Sequence, residues 1–316
     1  MKRRHLLALA LPMAAARAQS WPERPVRLVV PFAAGTTTDI LGRIAGTAIA
    51  QGIGHPVVVD NRSGAGGTVG AAFVAQSAPD GYTLLFGTSG TMATNPAIMP
   101  GLPYAPLRDF APVAAFARTS VVLGVRPQLG VATLGEFLAL ARRRPLSVGS
   151  AGTGTTGHLT QALLQLRSGV TTTHVPYRDG ARAVTDLLNG TLDAMIYHPL
   201  GFLPHIQSGA IRPLAVTGVA RHFLFPDVPT MAEAGQPGVV VEGWWAIYAP
   251  AGTPTPILAR LNALTNAALA EPASLAELRR QGLEVMGGTP EALAEKTRTE
   301  LAAQRELAQA ANITAD

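Results

Sequence analysis

Two stretches carry residue types and spacing that could do chemistry: PFAAGTTTD, from Pro31 to Asp39, and GSAGTGTTGH, from Gly149 to His158. Each sets glycine and hydroxyl side chains between a short apolar run and a segment of helical spacing. At a helix start the first backbone N–H groups lack intrahelical acceptors and the helix dipole is positive, so an anion is held without a cationic side chain. Gly35 tolerates a left-handed backbone, and Thr36, Thr37 and Thr38 place hydroxyls at the start of the first helix, with Thr38 or Asp39 as its cap. In the second stretch Ser150, Thr153, Thr155 and Thr156 sit among Gly152, Gly154 and Gly157, more backbone freedom than a cap requires. Two such turns predict one ligand held from two sides.

The second stretch also imitates a dinucleotide fingerprint, because Gly152, Gly154 and Gly157 have G-x-G-x-x-G spacing and Asp179 follows 22 residues after Gly157. Its place far from the first strand-to-helix turn, in a chain expected to be exported, argues against a nicotinamide cofactor, and no cofactor is expected. VPYRDG, Val175 to Gly180, ends a strand where ligands of open α/β sheets sit, so Arg178 and Asp179 either reach a cleft or are solvated turn charges. Tyr197 and His198 hold the equivalent position one unit later. GTSG, Gly87 to Gly90, puts Thr88 and Ser89 at another strand end; Thr91 in the fifth position breaks the nucleophile-elbow pattern.

Other features have structural readings. NRSGAGGTVGAA, Asn61 to Ala72, reads as close helix-to-sheet packing, and Trp244 and Trp245 as core or hinge packing. His158 reads as a structural imidazole. His55, His158, His174, His198, His205 and His222 are scattered singly, with no HExxH, no Walker A and no metal-ligand spacing. No catalytic constellation and no metal site is visible.

The elements that must position these turns alternate. Strand-like runs at Val26 to Val30, Val57 to Asp60 and Thr83 to Phe86 flank helical runs at Asp39 to Gln51 and Thr68 to Gln76. After a turn-rich stretch around Pro100 to Pro112 a second series follows: strands at Val121 to Val125, Ser147 to Gly149, Thr172 to Val175, Ala194 to Tyr197 and Ile211 to Val216, with helices at Leu134 to Arg143, His158 to Leu166 and Ala181 to Asn189. Trp244 to Tyr248 reads as a strand, and Pro256 to Leu269 and Pro290 to Ala310 as helices, the last packing back on the first lobe. This is an α/β pattern with mostly parallel sheets. The chain exceeds the length at which one core stops growing. The expected division is a discontinuous lobe, 19–122 plus 247–316, with a continuous lobe, 123–246, between two crossing segments that let the pair close as a clamp.

Residues 1–18 read as a secretory signal: Lys2, Arg3 and Arg4, an apolar stretch from Leu6 to Ala16, then Ala16-Arg17-Ala18. The formal charge of +5 includes Lys2, Arg3, Arg4 and Arg17, so residues 19–316 carry only +1. A nucleic-acid partner is therefore not expected. The absence of cysteine excludes disulfides, thiolate sites and a lipidated cysteine anchor. Expected localisation is the periplasm, as an exported soluble protein without a lipid anchor.

The chain resembles the Bug-type solute-binding proteins, receptors of tripartite tricarboxylate transporters. The likeness rests on ordered strings along its length: WPERPVRLVVPF, GHPVVVDNRSGAGGTVGA, SAPDGYTLL, LPYAPLRDFAPV, VGSAGTGTTGHL, HVPYRDGARAVTDLLNG, LPHIQSGAIRPLAVTG, FPDVPTMAEAG and APAGTP. The resemblance implies a two-lobed type II periplasmic-binding (Venus flytrap) fold and no enzymatic activity. It implies a monomer that closes on a small carboxylate and delivers it to a two-component integral-membrane permease. It points to Ala34, Gly35, Thr36, Thr37, Thr38 and Asp39, to Thr88 and Ser89, and to Ser150 through Thr156 as ligand contacts. Three departures stand out: Thr36 where the family has a second glycine, Arg182 where it tends to have proline, and Tyr197-His198 where it often has an acidic or amide side chain. They imply a smaller or more polar pocket and an atypical acid. The alternatives are an exported hydrolase, which needs a Ser, a His and an acid in register, and a ligand-sensing subunit of a membrane signalling protein.

Overall fold

The computed structural model describes residues 21–178, 180–311 and 313. The expected export segment, residues 1–18, and Asp179 lie outside the described residues.

The chain opens with β1 (Val26–Val30), an apolar strand. α1 (Thr37–Ile53) follows, setting Leu41, Ala45, Ile49 and Ile53 on one face at four-residue spacing. Gly54, in the left-handed region at φ 71°, ends it. β2 (Val57–Asn61), α2 (Thr68–Ala75) and β3 (Thr83–Thr88) extend the alternation, and the single turns α3 (Asn95–Ile98) and α4 (Pro106–Asp109) lead to β4 (Phe110–Ser120). β4 continues through Val121 into β5 (Val122–Val125), which belongs to the second sheet. That sheet grows through α5 (Leu134–Arg143), β6 (Ser147–Ser150), α6 (Thr156–Ser168), β7 (Thr173–Pro176), α7 (Gly180–Asn189), β8 (Ala194–Tyr197), α8 (Pro199–Gln207) and β9 (Arg212–Val216). The chain returns to the first sheet as β10 (Glu242–Pro250) and ends in α9 (Thr255–Ala270), α10 (Pro272–Arg280), β11 (Glu284–Val285) and α11 (Pro290–Ala311).

The strand orders are β2-β1-β3-β10-β4-β11 and β7-β6-β8-β5-β9. β1 runs parallel to β2 and β3, and β6 parallel to β7 and β8, as strand–helix–strand units require. The antiparallel pairs involve strands that carry the chain between lobes: β10 against β3 and β4, and β5 against β8 and β9. A strand arriving from the other lobe enters its sheet from the opposite end. Both sheets are mixed for this reason.

Alternation along β10 divides its side chains between the faces of the first sheet. Trp245 and Ile247 join Leu41, Ile49, Phe116 and Leu261 on the α1 and α9 side, while Trp244, Ala246 and Tyr248 join Ala71, Val74 and Leu293 on the α2 and α11 side. In the second lobe Leu123, Phe137, Val148, Leu163 and Ile196 form one cluster, and Val122, Leu187, Met195 and Phe202 the other. α11 is docked on the first lobe by a hydrogen bond between the Tyr248 and Thr297 hydroxyls (2.7 Å). Its far end reaches the second lobe, where Ala308 joins the cluster around Phe137 and Leu163.

The eleven-residue β4 begins inside the stretch that the sequence marks as turns. FAPVAAFARTS is buried on both faces, so it shows no alternation, and Pro112 disguises it further. At the junction between lobes, fully buried Thr217 ties both crossings together. Its hydroxyl accepts from the Val121 N–H (3.0 Å) and donates to the Val241 carbonyl (2.5 Å).

Tyr248→Phe deletes the buried hydroxyl but leaves Thr297 bonded to the Leu293 carbonyl. The expected loss of unfolding free energy is about 1 kcal/mol, read from urea denaturation. An unchanged midpoint would show that this bond does not hold α11.

Candidate functional site

Within each sheet one strand has a parallel neighbour on either side, β1 in the first and β6 in the second. The crevice beyond the carboxyl end of such a strand is where open α/β sheets bind ligands. The turns leaving β1 and β6 are the two glycine- and threonine-rich stretches, and the lobes bring them to one cavity.

In the first turn the helix cap is Thr36, two residues before Thr38 and three before Asp39, the caps expected. Its Oγ1 accepts from the Asp39 N–H (3.4 Å) and donates to the Ala33 carbonyl (2.7 Å). The Asp39 carboxylate turns back on the loop, accepting from the Gly35 N–H (2.9 Å), Arg43 Nε (3.0 Å) and Asn61 Nδ2 (2.9 Å). Burial pushes its pKa up, but these donors outweigh burial and hold it below the usual carboxylate range. Asp39 therefore fixes the turn as an ion. Among the described residues the N–H groups of Thr37 and Thr38 have no acceptor. The Thr38 hydroxyl accepts from Trp245 Nε1 (3.0 Å), fastening the helix start to the crossing strand β10.

The second turn is braced from within. Ser150 Oγ accepts from the Gly152 N–H (3.2 Å), Thr155 Oγ1 donates to the Gly152 carbonyl (2.7 Å), and the Gly154 N–H donates to His158 Nδ1 (3.2 Å). Gly157 permits close helix-to-strand packing, since a Cβ there would meet the Ile196 carbonyl oxygen at 2.5 Å. The N–H groups of Thr156 and Gly157 have no acceptor among the described residues. Four free donors from two helix starts thus belong to one site.

The cavity between the lobes is lined by Phe32 and Thr36–Thr38 from the first turn, Thr88, Ser89 and Gly90 after β3, and Ala151 with Thr155–Gly157 from the second turn. Arg178, Gly180, Ile196, Tyr197 and His198 complete the second-lobe wall, and Gly243, Trp244 and Trp245 of β10 close it. Of the residues singled out from sequence, Thr36, Thr37, Thr38, Thr88, Ser89, Thr155, Thr156, Arg178, Tyr197 and His198 meet here. Ala34, Gly35, Asp39, Ser150, Gly152, Thr153 and Gly154 stand outside the lining and shape or brace the two turns. Arg178 is the only charged side chain among the described lining residues. The space open to the centres of water-sized molecules is about 40 Å³, room for about three waters.

The lobes meet at glycines. A Cβ at Gly66 would lie 2.1 Å from the Thr153 carbonyl oxygen, one at Gly154 1.7 Å from Asn95 Oδ1, and one at Gly90 2.9 Å from the Gly154 carbonyl oxygen. The Gly-rich turn at residues 61–72, read from sequence as packing, does pack its Gly70 against Pro31, but its Gly66 belongs to this seam between lobes.

Tertiary structure also pairs residues that are far apart in sequence. His158 and His174 stack with ring centroids 4.3 Å apart, and His174 Nε2 lies 2.7 Å from Ser150 Oγ. This Ser–His contact is not a nucleophile pair facing substrate, because Ser150 is fully buried and its Oγ braces the Gly152 turn. Burial lowers the pKa of His158; burial and the neighbouring His158 lower that of His174 to about 4. Among the described residues no group of three His, Cys, Asp or Glu could hold a metal ion. No described helix is long and apolar enough to cross a membrane.

Sequence reasoning did not name Phe32, Gly90, Gly157, Gly180, Ile196, Gly243, Trp244 or Trp245 as ligand contacts, though Gly90, Gly157 and Gly180 fall within stretches it singled out. Both tryptophans are core residues as expected, yet both also line the cavity, and the Trp245 ring touches its walls through Thr38 and His198. Their only sequence signal is membership of a crossing strand, whose position between lobes is a tertiary fact.

Over residues 41–313 the sequence matches the family described as tripartite tricarboxylate transporter family receptor. It is 39% identical over 277 residues to Protein BugT of Bordetella pertussis, covering 87% of this chain and 85% of that protein. The structure of R. palustris Rpa4515 with adipate superposes with a TM-score of 0.90 at 38% identity, covering 93% of this chain and 99% of that one. MatC (Rpa3494) from Rhodopseudomonas palustris with bound malate gives a TM-score of 0.87 at 35% identity, covering 90% and 99%.

Two outcomes follow from this geometry. Gly66→Ala should hold the lobes apart and raise the radius of gyration in small-angle scattering. Gly101→Ala, also at positive φ but with no atom within 4 Å of the added Cβ, controls for backbone strain alone; equal radii in the two variants would remove the seam from closure. For the buried histidines the unfolded chain binds protons that the folded chain refuses between the ordinary pKa of about 6.5 and the lowered folded values. Stability therefore rises with pH across that window and is lost on acidification. Melting temperature should fall between about pH 7 and pH 5, and His174→Gln should shrink that fall; an identical fall would exclude His174 as a source.

Proposed function

The chain belongs to the tripartite tricarboxylate transporter receptor family, and on that premise we propose that it is a periplasmic receptor which captures a small carboxylate between its lobes and delivers it to a two-component integral-membrane permease. The observation that carries the reading is the convergence of two helix starts, each with unpaired N–H groups, on one cavity that also contains Arg178. A carboxylate supplies the acceptors these donors lack, and exclusion of water on closure strengthens each charge-assisted bond. No covalent step is required. The one Ser–His contact that could favour a hydrolase is buried behind the turn. The receptor acts as a monomer, since both halves of the site come from one chain.

The lining narrows the acid. No carboxylate side chain faces the cavity among the described residues, and Asp39 is committed to Gly35, Arg43 and Asn61. An α-ammonium would enter without a counter-charge, so non-amino acids such as the adipate and malate held by the two structural relatives suit the site better than aspartate or glutamate.

A thermal-shift panel of dicarboxylates, citrate-like acids, aromatic acids and acidic amino acids tests this. A ligand at 100 times its dissociation constant adds roughly 2.7 kcal/mol, a rise of roughly 5–10 °C for a chain of this size. Non-amino dicarboxylates should shift the melt more than aspartate or glutamate. Absence of any shift across the panel, with turnover of an ester or amide, would overturn the receptor reading.

A further inference from the structure

Two buried polar atoms in the wall of the cavity have no partner: Thr37 Oγ1 from the first lobe and His198 Nδ1 from the second. Buried polar atoms are nearly always hydrogen-bonded, so two orphans in one site call for a shared cause. For Thr37 the usual escape is blocked, because the carbonyl one turn back, that of Ala33, already accepts from both the Thr36 hydroxyl and N–H. For His198, burial lowers the pKa to about 4 and keeps the imidazole neutral, so one ring nitrogen carries hydrogen and the other accepts. The Thr156 hydroxyl lies 3.4 Å from Nε2 and can donate to it, leaving Nδ1 with the hydrogen. The ring is held against Trp245, centroids 4.9 Å apart, and Gly243 allows this approach, since a Cβ there would meet His198 Cε1 at 2.6 Å. The imidazole is thus positioned by its neighbours while one of its own donors goes unused.

Resting on the carboxylate-receptor reading, we propose that His198 and Thr37 are a specificity-determining donor pair, one on each lobe, that binds oxygens of the bound acid and so favours an ionised oxygen-rich ligand over one carrying an amine. The pair couples recognition to closure, because closing the lobes strips both donors of water and only a ligand oxygen between them restores the lost bonds. A carboxylate at this position would receive an ammonium, whereas the neutral N–H of His198 receives an oxygen.

The test is isothermal titration of the purified protein with malate, with adipate, and with the acid giving the largest thermal shift, on the parent, His198→Leu, His198→Asn and Thr37→Val. His198→Leu should lose at least tenfold in affinity and Thr37→Val several-fold. His198→Asn, which restores an N–H near the Nδ1 position, should recover most of the loss. Without ligand, Thr37→Val should melt at or above the parent temperature, because it removes an unpaired polar atom, and His198→Leu should melt close to it, since loss of the long 3.4 Å contact with Thr156 is offset by removal of the unpaired Nδ1. A merely structural histidine would behave oppositely, lowering the unliganded melt. Affinities within twofold of the parent in both variants, or a fall in the unliganded melt that accounts for the lost affinity, overturn the assignment while leaving the receptor reading intact. A parent that binds none of the carboxylates overturns both.

Discussion

The molecule is organised around donors that its own fold leaves without acceptors. The N–H groups of Thr37 and Thr38 at one helix start, and of Thr156 and Gly157 at another, could each have been satisfied by a side-chain cap or an extra turn of chain. Instead the loops spend their hydroxyls elsewhere. Thr36 reaches back to Ala33, Thr155 to Gly152, and Ser150 braces Gly152, so each turn is rigid and its helix start stays open. A site of this kind needs little side-chain charge, because the backbone supplies oriented partial charges that require no reorganisation. Asp39, beside the first turn, is neutralised in effect by Arg43, Asn61 and the Gly35 N–H, and stands outside the cavity lining.

Holding two such turns face to face is the work of the crossings between lobes. β4 runs into β5 and the chain returns as β10, so both sheets share continuous backbone, and Thr217 fastens the two passages together where they leave the sheets. β10 does more than connect: its Trp245 bonds Thr38 at the first helix start and packs on His198 from the second lobe. Residues that read as core therefore form the wall of the cavity. Across the seam the lobes approach so closely that an added Cβ would collide at Gly66 and Gly154, a second demand for glycine on top of the positive φ that both turns already adopt.

Much of this was legible in the chain. Regular alternation of strand and helix spacing gave the α/β class, and β1, α5 and β8 fall at the bounds their sequence implied. The ordered family strings and the two turns were visible because turn chemistry and helix starts are local. What escaped had no local signature. β4 hid because a strand buried on both faces does not alternate, and α8 because Pro199 and Pro204 read as breaks in a helix. His158 and His174 are scattered in sequence and stacked in space.

By itself the sequence determined which backbone could bend and cap: glycines and hydroxyls at strand ends, apolar periodicity for two sheets, a nearly balanced charge beyond residue 18, and a chemistry without thiols. Helix-start physics made those turns candidate anion sites wherever they were placed. Only the tertiary structure decided that the two turns share one cavity, that Trp244 and Trp245 are among its walls, that Asp39 faces away, and that Thr37 and His198 present unused polar atoms from opposite lobes. The reason is the range of the forces involved. Capping and turn preferences act over a few residues, whereas the register of two sheets joined by crossing strands is set by packing across more than a hundred, and no short stretch of sequence carries that information.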